Sequence, residues 1–113
     1  MLMVCGRRSP PPSRSPWSRI FIKPGGSKLI KMKMYGYQSY LIAVAGDDNT
    51  MDVDVAVYNP QGIRIVQDNE PKPLAVTVVG KRDITQEVYI RVSVGRFKPG
   101  AAGGHCVLIV GFS

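Results

Sequence analysis

Met51-Asp52-Val53-Asp54-Val55-Ala56-Val57-Tyr58-Asn59-Pro60-Gln61-Gly62 decides the reading of this chain. Val53, Val55 and Val57 alternate with Asp52, Asp54, Ala56 and Tyr58, the period-two pattern of a strand with one apolar face turned to a core and one polar face turned away. The valines are β-branched, which favours extended backbone over helix. The strand has a built-in stop. In Asn59-Pro60-Gln61-Gly62 the asparagine side chain can bond its own backbone, proline presets φ at the second position and glycine permits the backbone reversal, so a turn is expected with Ile63–Val66 as the hairpin partner.

The same grammar extends in both directions from this hairpin. Upstream, Ile20–Lys23 is closed by Pro24-Gly25-Gly26, and Lys28–Met34 sets Ile30, Met32 and Met34 against Lys31 and Lys33. Tyr37–Ala45 places Tyr40, Ile42 and Val44 on one side and stops at Gly46-Asp47-Asp48-Asn49. Downstream, Leu74–Val79 and Glu87–Val94 are strands, the second pointing Val88, Ile90, Val92 and Val94 inward, and His105–Gly111 closes the chain after a glycine-rich loop. Segments of this length at intervals of about ten residues, bounded by turn residues, are the signature of a sandwich or barrel. No internal repeat accompanies them. The expectation is an all-β domain of seven to eight strands in an antiparallel two-sheet β-sandwich, because a single sheet of such strands would leave its apolar face in water.

Composition agrees. The chain has 113 residues, 44% of them hydrophobic and 20% charged, which suits one globular domain and no more. Residues 1–19, with Arg7, Arg8, Arg14 and Arg19 and the run RRSPPPSRSPWSR, read as a disordered Pro/Ser/Arg-rich tail, leaving 20–113 as the sandwich domain. The tail holds +4 of the formal +7, so the body is close to ordinary in net charge. No stretch has the apolar core of a signal peptide or the roughly 20 apolar residues of a membrane helix. Extracellular placement is therefore expected only if the chain belongs to a larger exported parent. Cys5 and Cys106 allow one bridge at most, and the position of Cys5 in the tail favours free thiols.

Catalysis finds little to work with. The single histidine, His105, adjoins Cys106, but neighbours on a strand point to opposite faces and cannot form a nucleophilic pair. There is no Gly-x-Ser-x-Gly elbow, and Gly80-Lys81 lacks the remainder of a phosphate loop. The chain is not expected to be an enzyme. Lys28, Lys31, Lys33 and Tyr35 make a thin case for nucleic acid, better explained as a solvated strand face, so neither nucleic acid nor membrane is expected as a partner. Oxygen ligands are the one concentrated resource. Asp52 and Asp54 share a strand face, and Asp47, Asp48 and Asp68, with Asn49 in the same loop, could converge with them to hold calcium, which takes 6–8 oxygens in flexible geometry. The alternative is a solvated acidic face whose loop aspartates form turns.

Taken together, Tyr40–Asp47, the Asp52-Val53-Asp54 strand with its Gly62-ended turn, Gln67-Asp68 and Glu87-Val88-Tyr89-Ile90-Arg91-Val92 resemble the bacterial pre-peptidase C-terminal domain family over roughly residues 25–111. The resemblance implies a jelly-roll-like sandwich appended to a secreted hydrolase, without catalysis of its own. It also implies the parent's protein or polysaccharide substrate as partner, with Asp52, Asp54 and Asp68 as the acidic positions associated in some members with calcium. A second expectation, from a different class, is a structural or assembly module that makes protein contacts through an exposed strand edge; the oligomeric state is open.

Overall fold

The computed structural model describes residues 17–112, which form eight strands and no helix. In chain order these are β1 (Trp17–Ile22), β2 (Ser27–Met34), β3 (Tyr40–Gly46), β4 (Thr50–Tyr58), β5 (Arg64–Asp68), β6 (Leu74–Val79), β7 (Gln86–Phe97) and β8 (Gly104–Phe112). They pair antiparallel into a first sheet, β1-β8-β3-β6, and a second, β2-β7-β4-β5. Every connection crosses from one sheet to the other except the β4–β5 hairpin. That order is the jelly roll, a β-sandwich wound from two Greek keys.

The alternation seen in the sequence is what fills the space between the sheets. Ile20, Ile22, Tyr40, Ile42, Val44, Ala75, Val79, Cys106 and Leu108 come from the first sheet, and Met34, Val53, Val55, Val57, Val88, Ile90, Val92 and Val94 from the second. Val53, Val57, Val88, Ile90 and Val92 are completely buried. The register explains this: Val53 stands opposite Val94, Val55 opposite Val92 and Val57 opposite Ile90, so the two central strands of the second sheet present one continuous branched surface. The hairpin closes as its residues require. The Asn59 side-chain oxygen accepts from the backbone N–H of Gln61 and Ile63, both at 2.9 Å, and Gly62 adopts φ +81°.

Three boundaries differ by three residues from the sequence expectation, the others by at most two. β1 begins at Trp17 rather than Ile20, because Trp17, Ser18 and Arg19 pair with Ile109, Leu108 and Val107 of β8 although their own side chains are exposed. Residues 1–16, which hold the rest of the expected tail and Cys5, lie outside the described residues. β3 begins at Tyr40 rather than Tyr37, since Tyr37 takes the left-handed φ of +64° while its N–H donates to the carbonyl of Arg82 at 2.6 Å. β7 runs on to Phe97, three residues beyond Val94, because a bulge at Gly95 keeps it paired with β4.

Ile90, fully buried at the centre of the second sheet, supplies a direct check on the inner layer. Ile90→Ala is expected to cost about 3 kcal/mol in urea unfolding, whereas Val78→Ala, on the exposed outer side of β6, should cost less than about 0.5 kcal/mol.

Candidate functional site

The acidic residues do not gather into one site. Asp47, at the end of β3, spends its carboxylate on backbone amides: Oδ2 accepts from the N–H of His105 and Oδ1 from that of Asn49, both at 2.9 Å. Those bonds, the His105 amide first, hold its pKa below the ordinary carboxylate value. Asp48 is exposed in the β3–β4 turn. Asp68 stands opposite Val55 in the β4–β5 ladder, and because Val55 faces inward, Asp68 turns to that side rather than to the face of Asp52 and Asp54. There its Oδ2 accepts from Val76 N–H in the other sheet at 2.8 Å and its Oδ1 from Glu70 N–H at 3.1 Å, which ties the loop between β5 and β6 and lowers its pKa.

Only Asp52 and Asp54 come together, on the outer face of the second sheet. Their seat is the β7 bulge, where Val53 pairs with Val94 and Asp52 with Arg96, leaving Gly95 as the extra residue. A Cβ at Gly95 would meet Asp52 Oδ2 at 2.6 Å and Asp54 Oδ2 at 3.5 Å, so the glycine makes room for both carboxylates. Each Oδ1 is buried with no hydrogen-bond partner. Burial first, and then the neighbouring Asp52 charge, push Asp54 up to about 6. The five-residue set expected from the sequence is thus divided among a strand end, a turn, an inter-sheet tie and a carboxyl pair. Among the described residues no three His, Cys, Asp or Glu side chains are placed to share a metal ion.

His105 and Cys106 lie back to back. His105 is on the outer face, with its ring edge-on to Phe21 at 4.9 Å between centroids and its Nδ1 3.8 Å from Asp47 Oδ2. Cys106 is a free thiol buried in the core, and that burial, with the Asp47 charge, pushes its pKa up to about 11, the opposite of an activated nucleophile.

A further chemical feature belongs to a whole sheet face and not to any single strand. The two sheets have alike inner faces and unlike outer ones. On the second sheet the outer face mixes Lys31, Lys33, Glu87, Arg91 and the Asp52–Asp54 pair with Tyr58, Tyr89 and a 58% exposed Leu29, and Lys31 and Glu87 lie 3.8 Å apart across the ladder. On the first sheet the outer rows read Trp17-Ile109-Ala43-Val76 and, one row towards the acidic end, Arg19-Val107-Ala45-Leu74. The next row in the opposite direction is Gly111-Leu41-Val78. Trp17, Phe21, Leu41, Leu74, Val76, Val78 and Ile109 are 37–54% exposed on this one face. They present on the order of 600 Å² of apolar surface, at the upper limit of the largest patch on a typical monomer. A signal was present in the sequence: β3, β6 and β8 are apolar at both parities, the mark of strands covered on both faces.

No protein-family model matches the chain, and no curated protein matches it.

The carboxyl pair has a pH signature. A raised folded-state pKa means that the folded chain binds the proton more tightly than the unfolded chain, so this contribution favours folding at acid pH and is lost as pH rises from about 4 through about 6. Asp54→Asn should therefore raise the unfolding midpoint by several degrees near pH 7, about 1 kcal/mol after allowance for solvent screening. Near pH 3.5 it should leave the midpoint unchanged. Gly95→Ala, by displacing the Asp52 carboxylate, should return the Asp54 titration seen by carbon-detected NMR towards the ordinary aspartate value; an unmoved titration would show that the pair does not depend on the bulge.

Proposed function

We propose that this chain is a noncatalytic β-sandwich module whose work is contact, and that the outer face of its first sheet is the contact surface. The observation that carries the proposal is the difference between the two outer faces. Solvent does not require a strand to be apolar on both sides, and on the second sheet, built by the same chain, charged residues separate Leu29, Tyr58 and Tyr89 instead of leaving continuous apolar rows. A half-exposed Trp17 and Phe21 on the edge strand are the residue types that dominate binding energy at interfaces. The arrangement of the reactive side chains supports the noncatalytic part: the imidazole and the thiol face opposite ways, and the thiol is held protonated.

The resemblance to the pre-peptidase C-terminal domain family agrees with this reading and extends it to an accessory domain of an exported parent that positions the parent against a substrate or partner. The jelly-roll order is the fold that this resemblance implies. The edge-strand alternative has β1, β6, β2 and β5 available as sheet edges. The edge strands β1 and β6 supply side chains to the apolar rows, but those side chains stand on the face and do not extend an edge, so they support contact by the face.

The test uses an apolar dye such as anilinonaphthalene sulfonate at sub-micromolar chain concentration. The folded chain is expected to bind it, and Leu41→Glu with Val78→Glu is expected to abolish binding while moving the unfolding midpoint by less than about 2 °C. Binding that survives both substitutions, or a fold that collapses with the milder Val76→Thr, would overturn the assignment of the face. Turnover of peptide or glycoside substrates by the purified chain would overturn the noncatalytic part.

A further inference from the structure

We infer that the occupant of the apolar face is a second copy of this chain, giving a two-fold dimer in which the two first sheets pack face to face. The inference rests on the proposed contact role and adds to it the identity of the partner.

Relief across the face is the first argument. β8 and β3 are its central strands, and in register they set Ile109 beside Ala43 and Val107 beside Ala45. Two branched side chains on one strand and two methyl groups on the next make a ridge alongside a trough. A two-fold axis running along the strands between β8 and β3 lays the ridge of each copy over the trough of the other, Ile109 above Ala43 and Val107 above Ala45, reciprocally. The same axis brings the edge strand β1 over β6, with Trp17 above Val76. A contact made by one patch on itself is what a closed dimer requires, and it does not propagate into filaments. Two sheets packed in this way sit about 10 Å apart, the usual spacing of face-to-face sheets.

Area and charge agree. About 600 Å² of apolar surface per copy, with its polar margin, approaches the roughly 800 Å² per partner of a standard specific interface. The polar members of the face, Arg19 and His105, stand on the edge strand β1 and at the start of β8. The stated axis sets Arg19 over Leu74 at the margin of the contact, so the central strands β8 and β3 bring no charge to its middle rows. Lys31, Lys33 and Arg91 lie on the opposite side of the molecule, so the positive charge of the two copies is directed apart.

Sedimentation velocity on the full chain from about 1 to 100 μM at physiological salt is the test. Reversible association to twice the 12.4 kDa of one chain is expected. Val78→Lys should weaken association at least tenfold, and Lys31→Glu on the other sheet should leave it within twofold. Ala43→Leu is the decisive variant. It makes the face more apolar but fills the trough, so it weakens a ridge-in-trough dimer at least tenfold and strengthens unspecific sticking. Association strengthened by Ala43→Leu, association indifferent to Val78→Lys, or growth beyond the dimer each overturns the inference. A chain that stays monomeric at 100 μM while still binding the dye on this face overturns the second copy alone and leaves the contact role standing. A monomer that binds no dye overturns both.

Discussion

Two sheets of alternating strands exclude water from each other's inner faces, and every other property of this molecule is built on that exclusion. Val53, Val55, Val57, Val88, Ile90 and Val92 have almost no exposure, and each such side chain contributes about 1.5–3 kcal/mol when moved from water to the interior. Neither sheet can gain this alone. The winding makes the dependence strict: only β4 and β5 are consecutive and in the same sheet, so every other ladder joins strands separated along the chain. Loop-closure entropy must be met before most of the pairing is rewarded, which places the domain among slow, cooperative folders.

On that scaffold the carboxylates do backbone work rather than gather as a ligand set. Asp47 and Asp68 each accept from two amide N–H groups at a strand end or a crossing loop. Such bonds to an ionised acceptor are stronger than neutral ones and hold the acid deprotonated. Asp54 shows the reverse. It is held beside Asp52 over a glycine bulge, and desolvation and repulsion raise its pKa. Acids of identical type, all within the stretch from Asp47 to Asp68, therefore stabilise the fold over different pH ranges. Asp47 and Asp68 lose their contribution in acid, whereas Asp54 loses its contribution as neutrality is approached.

The outer faces divide the labour of the two layers. One intersperses its apolar residues with charges; the other lines up apolar rows that repeat the chemistry of the core on the outside of the molecule. Under the contact role proposed above, a third layer would cover that face. In a jelly roll the four strands that carry it are drawn from the beginning, middle and end of the chain, so the surface exists only once the winding is complete. Folding and contact are coupled in this limited sense: a chain with a broken core has no assembled face to offer.

The chain's own pattern is enough to specify strands, turns and the side of each strand that meets the core, because alternation and turn chemistry are local. Val53-Val55-Val57, Val88-Ile90-Val92 and the Asn59–Gly62 turn are all legible without knowing what lies beside them. β1 at Trp17–Arg19 was not legible, since its pairing with β8 is made by backbone groups and its side chains are exposed and partly polar. The same holds for the acids. Proximity in sequence suggested convergence, but Asp68 follows Val55 to the inner side of its ladder while Asp52 and Asp54 face out, and only the hairpin register decides that. The apolar character of both faces of β3, β6 and β8 can be read from the residues, but that they join β1 in one sheet cannot. Local pattern acts over two to four residues, whereas a surface of four strands is an outcome of long-range pairing that no single segment encodes.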